Sequence, residues 1–117
     1  MANRVSGRKL GRKTGPRMAL YKNLTVAILR YEQVKTTEAR AKEVRGRVER
    51  MITLAKDGSL TARRRVVAEL PDEPLVIDKL MNEIAPRYGD RSSGFTRVVK
   101  LGPRAGDAAP IVQLELV

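Results

Sequence analysis

The chain has 117 residues, with 24 Lys and Arg against 13 Asp and Glu, a net charge of +11, and no His, Cys or Trp. One domain of this length buries roughly 60–70% of its unfolded surface, enough for a core without disulfide or metal staples. The missing residue types exclude a thiol nucleophile, a thiolate metal site, a histidine base and a tryptophan stacking platform, while the charge points to a polyanionic partner.

The charge is unevenly placed. Residues 1–31 hold eight bases (Arg4, Arg8, Lys9, Arg12, Lys13, Arg17, Lys22 and Arg30) and no acid, the first carboxylate being Glu32. The remaining residues carry 16 bases and all 13 acids. An acid-free arm and first helix therefore precede an ordinary mixed-charge domain. The arm has no apolar stretch of the kind a secretory signal needs, and its glycines interrupt the helix a transit peptide needs. An intracellular protein is expected.

Residues 1–15 show neither a helical nor a strand period and read as an extended basic arm that orders on a partner. Pro16 suits a first helical turn capped by Thr14 or Gly15, and the helix runs to about Tyr31 with Leu20, Leu24, Ala27, Ile28 and Tyr31 on one face. Val34 and the threonines of 32–37 favour a strand, with Thr36 or Thr37 capping the next helix. That helix, 38–56, has the clearest period, set by Ala41, Val44, Val48, Met51, Ile52 and Ala55. Gly46 within it suggests close packing there, and Asp57-Gly58 ends it.

Ser59 caps a third helix at 60–70 that carries Arg63, Arg64 and Arg65. Asp72 is the expected cap of a fourth helix, 73–85, with Pro86 following its end. Strands at 95–101 and 111–117 form a hairpin, the second alternating Val112, Leu114 and Leu116 with Gln113 and Glu115. The expected fold is α+β: about four helices on a small mixed sheet of about three strands, one domain over 16–117 behind the arm.

No catalytic or cofactor site is expected. GRKLGRKT (7–14) lacks the glycine spacing and Gly-Lys pair of a phosphate-binding loop. Asp72, Glu73 and Asp78 read as helix-terminal acids, not as magnesium ligands. No metal, small-molecule substrate or membrane partner is expected either. The arm's doublets Arg8-Lys9 and Arg12-Lys13, flanked by Arg4 and Arg17, can instead follow a phosphate backbone. Arg87, Arg91, Arg97 and Arg104, in or beside glycine-containing loops, are further candidates. The absence of a helix-turn-helix, a zinc site or a basic zipper region favours structured RNA over DNA.

Four stretches carry a resemblance: SGRKLGRKTGPRMALYKNL (6–24), KTTEARAKEVRGRVERMITLAK (35–56), ARRRVV (62–67) and LMNEIAPRYGDRSSGFTRVVKLGPRAGDAAPIVQLELV (80–117). In this order and spacing the chain resembles the bacterial large-subunit ribosomal protein L-seventeen family over essentially its whole length. The resemblance implies a cytoplasmic, ribosomal, non-enzymatic protein that binds large-subunit ribosomal RNA and supports subunit assembly and translation. It also implies a neighbouring large-subunit protein, L-thirty-two. Arg4, Arg8 and Arg12 match the family's arm and Arg17 the arginine opening its first helix. Lys35 and Thr36 match its strand-to-helix junction; Arg87, Arg91, Arg97 and Arg104 match the loops about its hairpin. The RNA-binding set expected here is these residues with Lys9, Lys13 and Lys22. Ala2, Asn3 and Pro16 depart from the family pattern. The alternative is a sequence-independent nucleic-acid architectural protein acting off the ribosome.

Overall fold

A computed structural model describes residues 14–117, with side chains from Arg17 onward. Helix α1 spans Thr14–Tyr31, so it starts ahead of the expected Pro16 and takes Thr14 and Gly15 inside rather than as caps. Proline is tolerated there because the N–H groups of a first turn have no helical partner. The buried stripe of α1 is also shifted from the one expected: Tyr21, Thr25, Ile28 and Leu29 face the core and Tyr31 is exposed. Hydrophobic periodicity overlooks Thr25, whose hydroxyl donates to the Tyr21 carbonyl at 2.8 Å and so is buried at no cost in unmet hydrogen bonding.

Strand β1 (Gln33–Thr37) leads directly into α2 (Glu38–Asp57). The Thr37 side chain accepts from the Arg40 N–H, and Gly58 ends α2 in the left-handed conformation at φ 70°. All six apolar residues of the α2 stripe are buried. Helix α2 is the hub of the molecule, touching α1, α3 and all three strands. Ser59 caps α3 (Leu60–Glu69) by accepting from the Ala62 N–H.

The fourth helical run differs from expectation at both ends. It comprises α4 (Pro74–Lys79), a π-helical turn (Leu80–Ile84) and α5 (Ala85–Arg87). Its cap position is Glu73, not Asp72, and no side chain caps it; Pro74, preset for a first turn, starts the run instead. Pro86 lies inside the run. The Ala85 N–H reaches back five residues to the Leu80 carbonyl, and this widened turn accommodates a residue with no N–H to donate.

Strands β2 (Thr96–Pro103) and β3 (Pro110–Leu116) form the expected hairpin, and β1 pairs with the other side of β3. A mixed sheet was expected, but both pairings are antiparallel, with Gln33 opposite Glu115 and Thr96 opposite Leu116. The hairpin dictates one of these directions. The other brings the chain end back to the α1–β1 corner, where the Leu116 N–H donates to the Glu32 carbonyl. Val112, Leu114 and Leu116 all face the helices. Phe95, fully buried and 5.2 Å from the Tyr88 ring, closes the core between α5 and the sheet.

Candidate nucleic-acid interface

A base already paired with a carboxylate of its own protein adds less to a phosphate site than an unpaired one, because its charge is partly offset. Arg4, Arg8, Lys9, Arg12 and Lys13 lie outside the described residues. The arginines about the hairpin are committed within the fold. Arg87 donates to both oxygens of Glu32, at 2.5 and 3.1 Å. Arg97 reaches Glu115 at 2.5 Å. Arg104 forks onto Asp107 at 2.5 and 3.1 Å, and Arg91 donates to the Gly94 carbonyl at 3.0 Å.

The carboxylates record this engagement. Hydrogen bonding to Arg87 holds Glu32 at a pKa of about 2 despite partial burial, Lys79 adding to the effect. Asp107 is likewise held at about 2, chiefly by Arg104. Gln113 and then Arg97 lower Glu115. Arg87, Arg97 and Arg104 are thereby each matched by a carboxylate of the fold, whereas Arg91 meets only a neutral carbonyl and keeps its charge.

Lys35 and Thr36 are adjacent on β1 and so point to opposite faces of the sheet. Lys35 is exposed, across from Gln113, while Thr36 lies opposite the buried Val112 on the helix side. The two cannot serve one ligand face.

The bases left available gather elsewhere. Lys22 of α1 meets Arg47 and Arg50 of α2 and Arg65 of α3 around a groove of about 960 Å³ floored by Met18, Met51 and Leu54. Among the described residues, Lys22, Arg50 and Arg65 make no side-chain hydrogen bond or ion pair. The Arg47 guanidinium lies over the Tyr21 ring, its carbon 5.4 Å from the ring centre, and donates to the Met18 sulfur at 3.2 Å. Burial pushes the Tyr21 hydroxyl above its ordinary value, so the neutral ring face is what holds the guanidinium. Sequence reasoning singled out Lys22, left Arg65 evenly balanced between a solvated face and an RNA contact, and missed Arg47 and Arg50. The signal was the spacing of Arg47, Arg50 and Leu54 at i, +3 and +7, a second stripe beside the core stripe of α2.

Among the described residues no cluster of His, Cys, Asp or Glu could hold a metal ion. Glu73 pairs with Arg30 at 3.2 Å and Asp78 with Arg63 at 4.0 Å, so the acids read as helix-terminal are spread among separate partners. Among the described residues no helix is long and apolar enough to cross a membrane.

Comparison with known proteins identifies the family. The family model described as ribosomal protein L17 matches residues 20–117. The chain is 54% identical over 110 residues to the large ribosomal subunit protein bL17 of Desulfitobacterium hafniense, covering 94% of this chain and 97% of that one. It is 55% identical over 113 residues to the bL17 of Caldanaerobacter subterraneus, covering 97% and 100%. It is 47% identical over 117 residues to that of Dehalococcoides mccartyi, covering 100% and 99%. Matched by the family model over most of its length and by relatives at about half identity across nearly all of it, this chain belongs to the ribosomal protein L17 family.

Proposed function

We propose that the chain is a structural constituent of the large ribosomal subunit. It holds ribosomal RNA with the cationic arm of residues 1–15, with the first helix behind it, and with the uncommitted bases of the folded domain, and it catalyses no reaction. The observation that carries this reading is the acid-free run of eight bases across residues 1–31, set beside relatives whose names place them in that subunit. Such a run neutralises phosphates one by one and releases their counterions. The hairpin arginines contribute by fixing the fold, since each already has a partner. The resemblance adds L-thirty-two as a neighbouring protein.

The test compares the full chain with one beginning at Pro16. If about six phosphates are neutralised by the arm and its junction, RNA affinity of the full chain falls with salt at a log–log slope of roughly −4 to −5. The shortened chain shows a shallower slope and incorporates poorly into large subunits. Equal incorporation of the two would end the arm's role. Sucrose-gradient fractionation after a high-salt wash separates this reading from an architectural protein acting off the ribosome: the first sediments with large subunits, the second stays in the light fractions.

A further inference from the structure

We propose that the groove between α1, α2 and α3 receives an unpaired stretch of RNA, a base lying on the apolar floor and its phosphates on the cationic rim. This deepens the RNA-binding reading above and rests on it.

Charge selects the class of occupant. Lys22, Arg50 and Arg65 line the rim without a hydrogen bond or ion pair among the described residues. Four bases, Lys22, Arg47, Arg50 and Arg65, line the groove against two carboxylates, Glu49 and Glu69, so it keeps a net positive charge. The rim therefore attracts an anion, and the cationic arm of this chain is excluded by like charge.

The floor selects a single strand over a duplex. Met18, Met51 and Leu54 offer apolar surface that the phosphates of a duplex cannot use but the face of an unstacked base can. Arg47 adds a second stacking surface. Tyr21 covers one side of its guanidinium, the Met18 sulfur steadies its edge, and the residue lines the groove. Guanidinium planes held in this way are platforms for unpaired bases. At about 960 Å³ the groove sits at the upper end of the roughly 300–1,000 Å³ range of small-ligand sites, room for a nucleotide or two.

The test uses the full chain with two labelled RNAs, a single-stranded decaadenylate and a ten-base-pair duplex. Leu54→Ser is expected to weaken the single strand about tenfold and the duplex less than about twofold. Met18→Ser, at an exposed position, should reproduce that split if Leu54→Ser unfolds the protein. Arg65→Glu should weaken the single strand by a similar factor. Equal loss for both RNAs, or no loss with either floor variant, overturns the proposal while leaving arm-driven RNA binding standing. Failure of the unaltered chain to bind either RNA at low salt removes both. In assembled large subunits, a photoreactive benzophenone side chain at position 54 should cross-link to ribosomal RNA. A cross-link to a protein segment instead overturns the proposal.

Discussion

Arg87 grips Glu32 with two hydrogen bonds across 55 residues of sequence, and Glu32 is the residue at which α1 turns into β1 in a left-handed conformation, φ 65°. Lys79 closes on the same carboxylate at 3.2 Å and also donates to the Arg30 carbonyl at 2.7 Å. Two cations from the fourth helical run thus hold the corner where the first helix becomes the edge of the sheet. Glu32 and Arg87 are both more than a third exposed, so each pair contributes at most about 1 kcal/mol. Glu32→Ala should cost roughly 1–2 kcal/mol in urea unfolding. Glu32→Gly should cost less, because glycine removes a left-handed penalty of about 1 kcal/mol while losing the same pairs.

The same pair sets an acid sensitivity. In the unfolded chain the Glu32 carboxyl protonates near its ordinary value of 4.5, and in the folded protein near 2. The unfolded state therefore binds more protons between those limits, and the contribution present above pH 4.5 fades as pH falls toward 2. Unfolding midpoints measured from pH 6 to 2.5 should fall less steeply in Glu32→Gln than in the unaltered chain. Parallel curves would show that other carboxylates dominate.

What the sequence revealed was whatever local rules govern. Thr37 and Ser59 cap as their positions require, the α2 stripe is buried residue for residue, and β3 alternates as written. Departures occur where competing local signals or a distant partner decide. Asp72 has the right chemistry for a cap, but Pro74 starts the helix without one. Pro86 would end an α-helix, yet the π turn before it lets the run continue to Arg87. The candidate RNA contacts were legible as bases, but their engagement was not. Arg97 and Arg104 look as free as Lys22 in the sequence, and only the hairpin register and the turn at 104–109 bring Glu115 and Asp107 to them.

Glu49 ties α2 to the start of β2. Its carboxylate accepts from the Thr96 N–H at 2.9 Å, the Thr96 hydroxyl at 2.7 Å and the Phe95 N–H at 3.3 Å. Thr96 is buried, so Glu49→Ala leaves donors without water or partner. A loss of about 2–3 kcal/mol is expected in denaturant unfolding, with Glu49→Gln retaining part of it. A change below about 0.5 kcal/mol in the alanine variant would show that water replaces the carboxylate.

Gly46 was expected to mark a close approach, and none is found. A Cβ built there meets only the Arg50 guanidinium, at 3.5 Å, an ordinary contact with the end of a flexible side chain. Gly46→Ala should accordingly stabilise the isolated protein by about 0.5–1 kcal/mol through reduced backbone entropy of the unfolded chain. Thermal melts would read this as a rise of several degrees. Poorer incorporation of the stabilised variant into large subunits would mean that the glycine serves a partner rather than the fold.

Lys22 and Arg104 separate available from committed charge. Arg104 forks onto Asp107, whose carboxylate also accepts the Ala109 N–H at 3.1 Å, so the guanidinium belongs to the turn that carries the left-handed Gly106 and Ala108. Lys22 has no such partner among the described residues and lines a groove of net positive charge. Lys22→Ala should weaken RNA binding uniformly across sequences and reduce the salt slope by about one, the signature of a lost phosphate contact. Arg104→Ala should leave that slope unchanged, because neutralising an internally paired base also frees its carboxylate and releases no counterion from RNA. Salt titrations of the two variants against one ribosomal RNA fragment measure both slopes. A drop of about one with Arg104→Ala would show that Asp107 gives up its arginine to RNA.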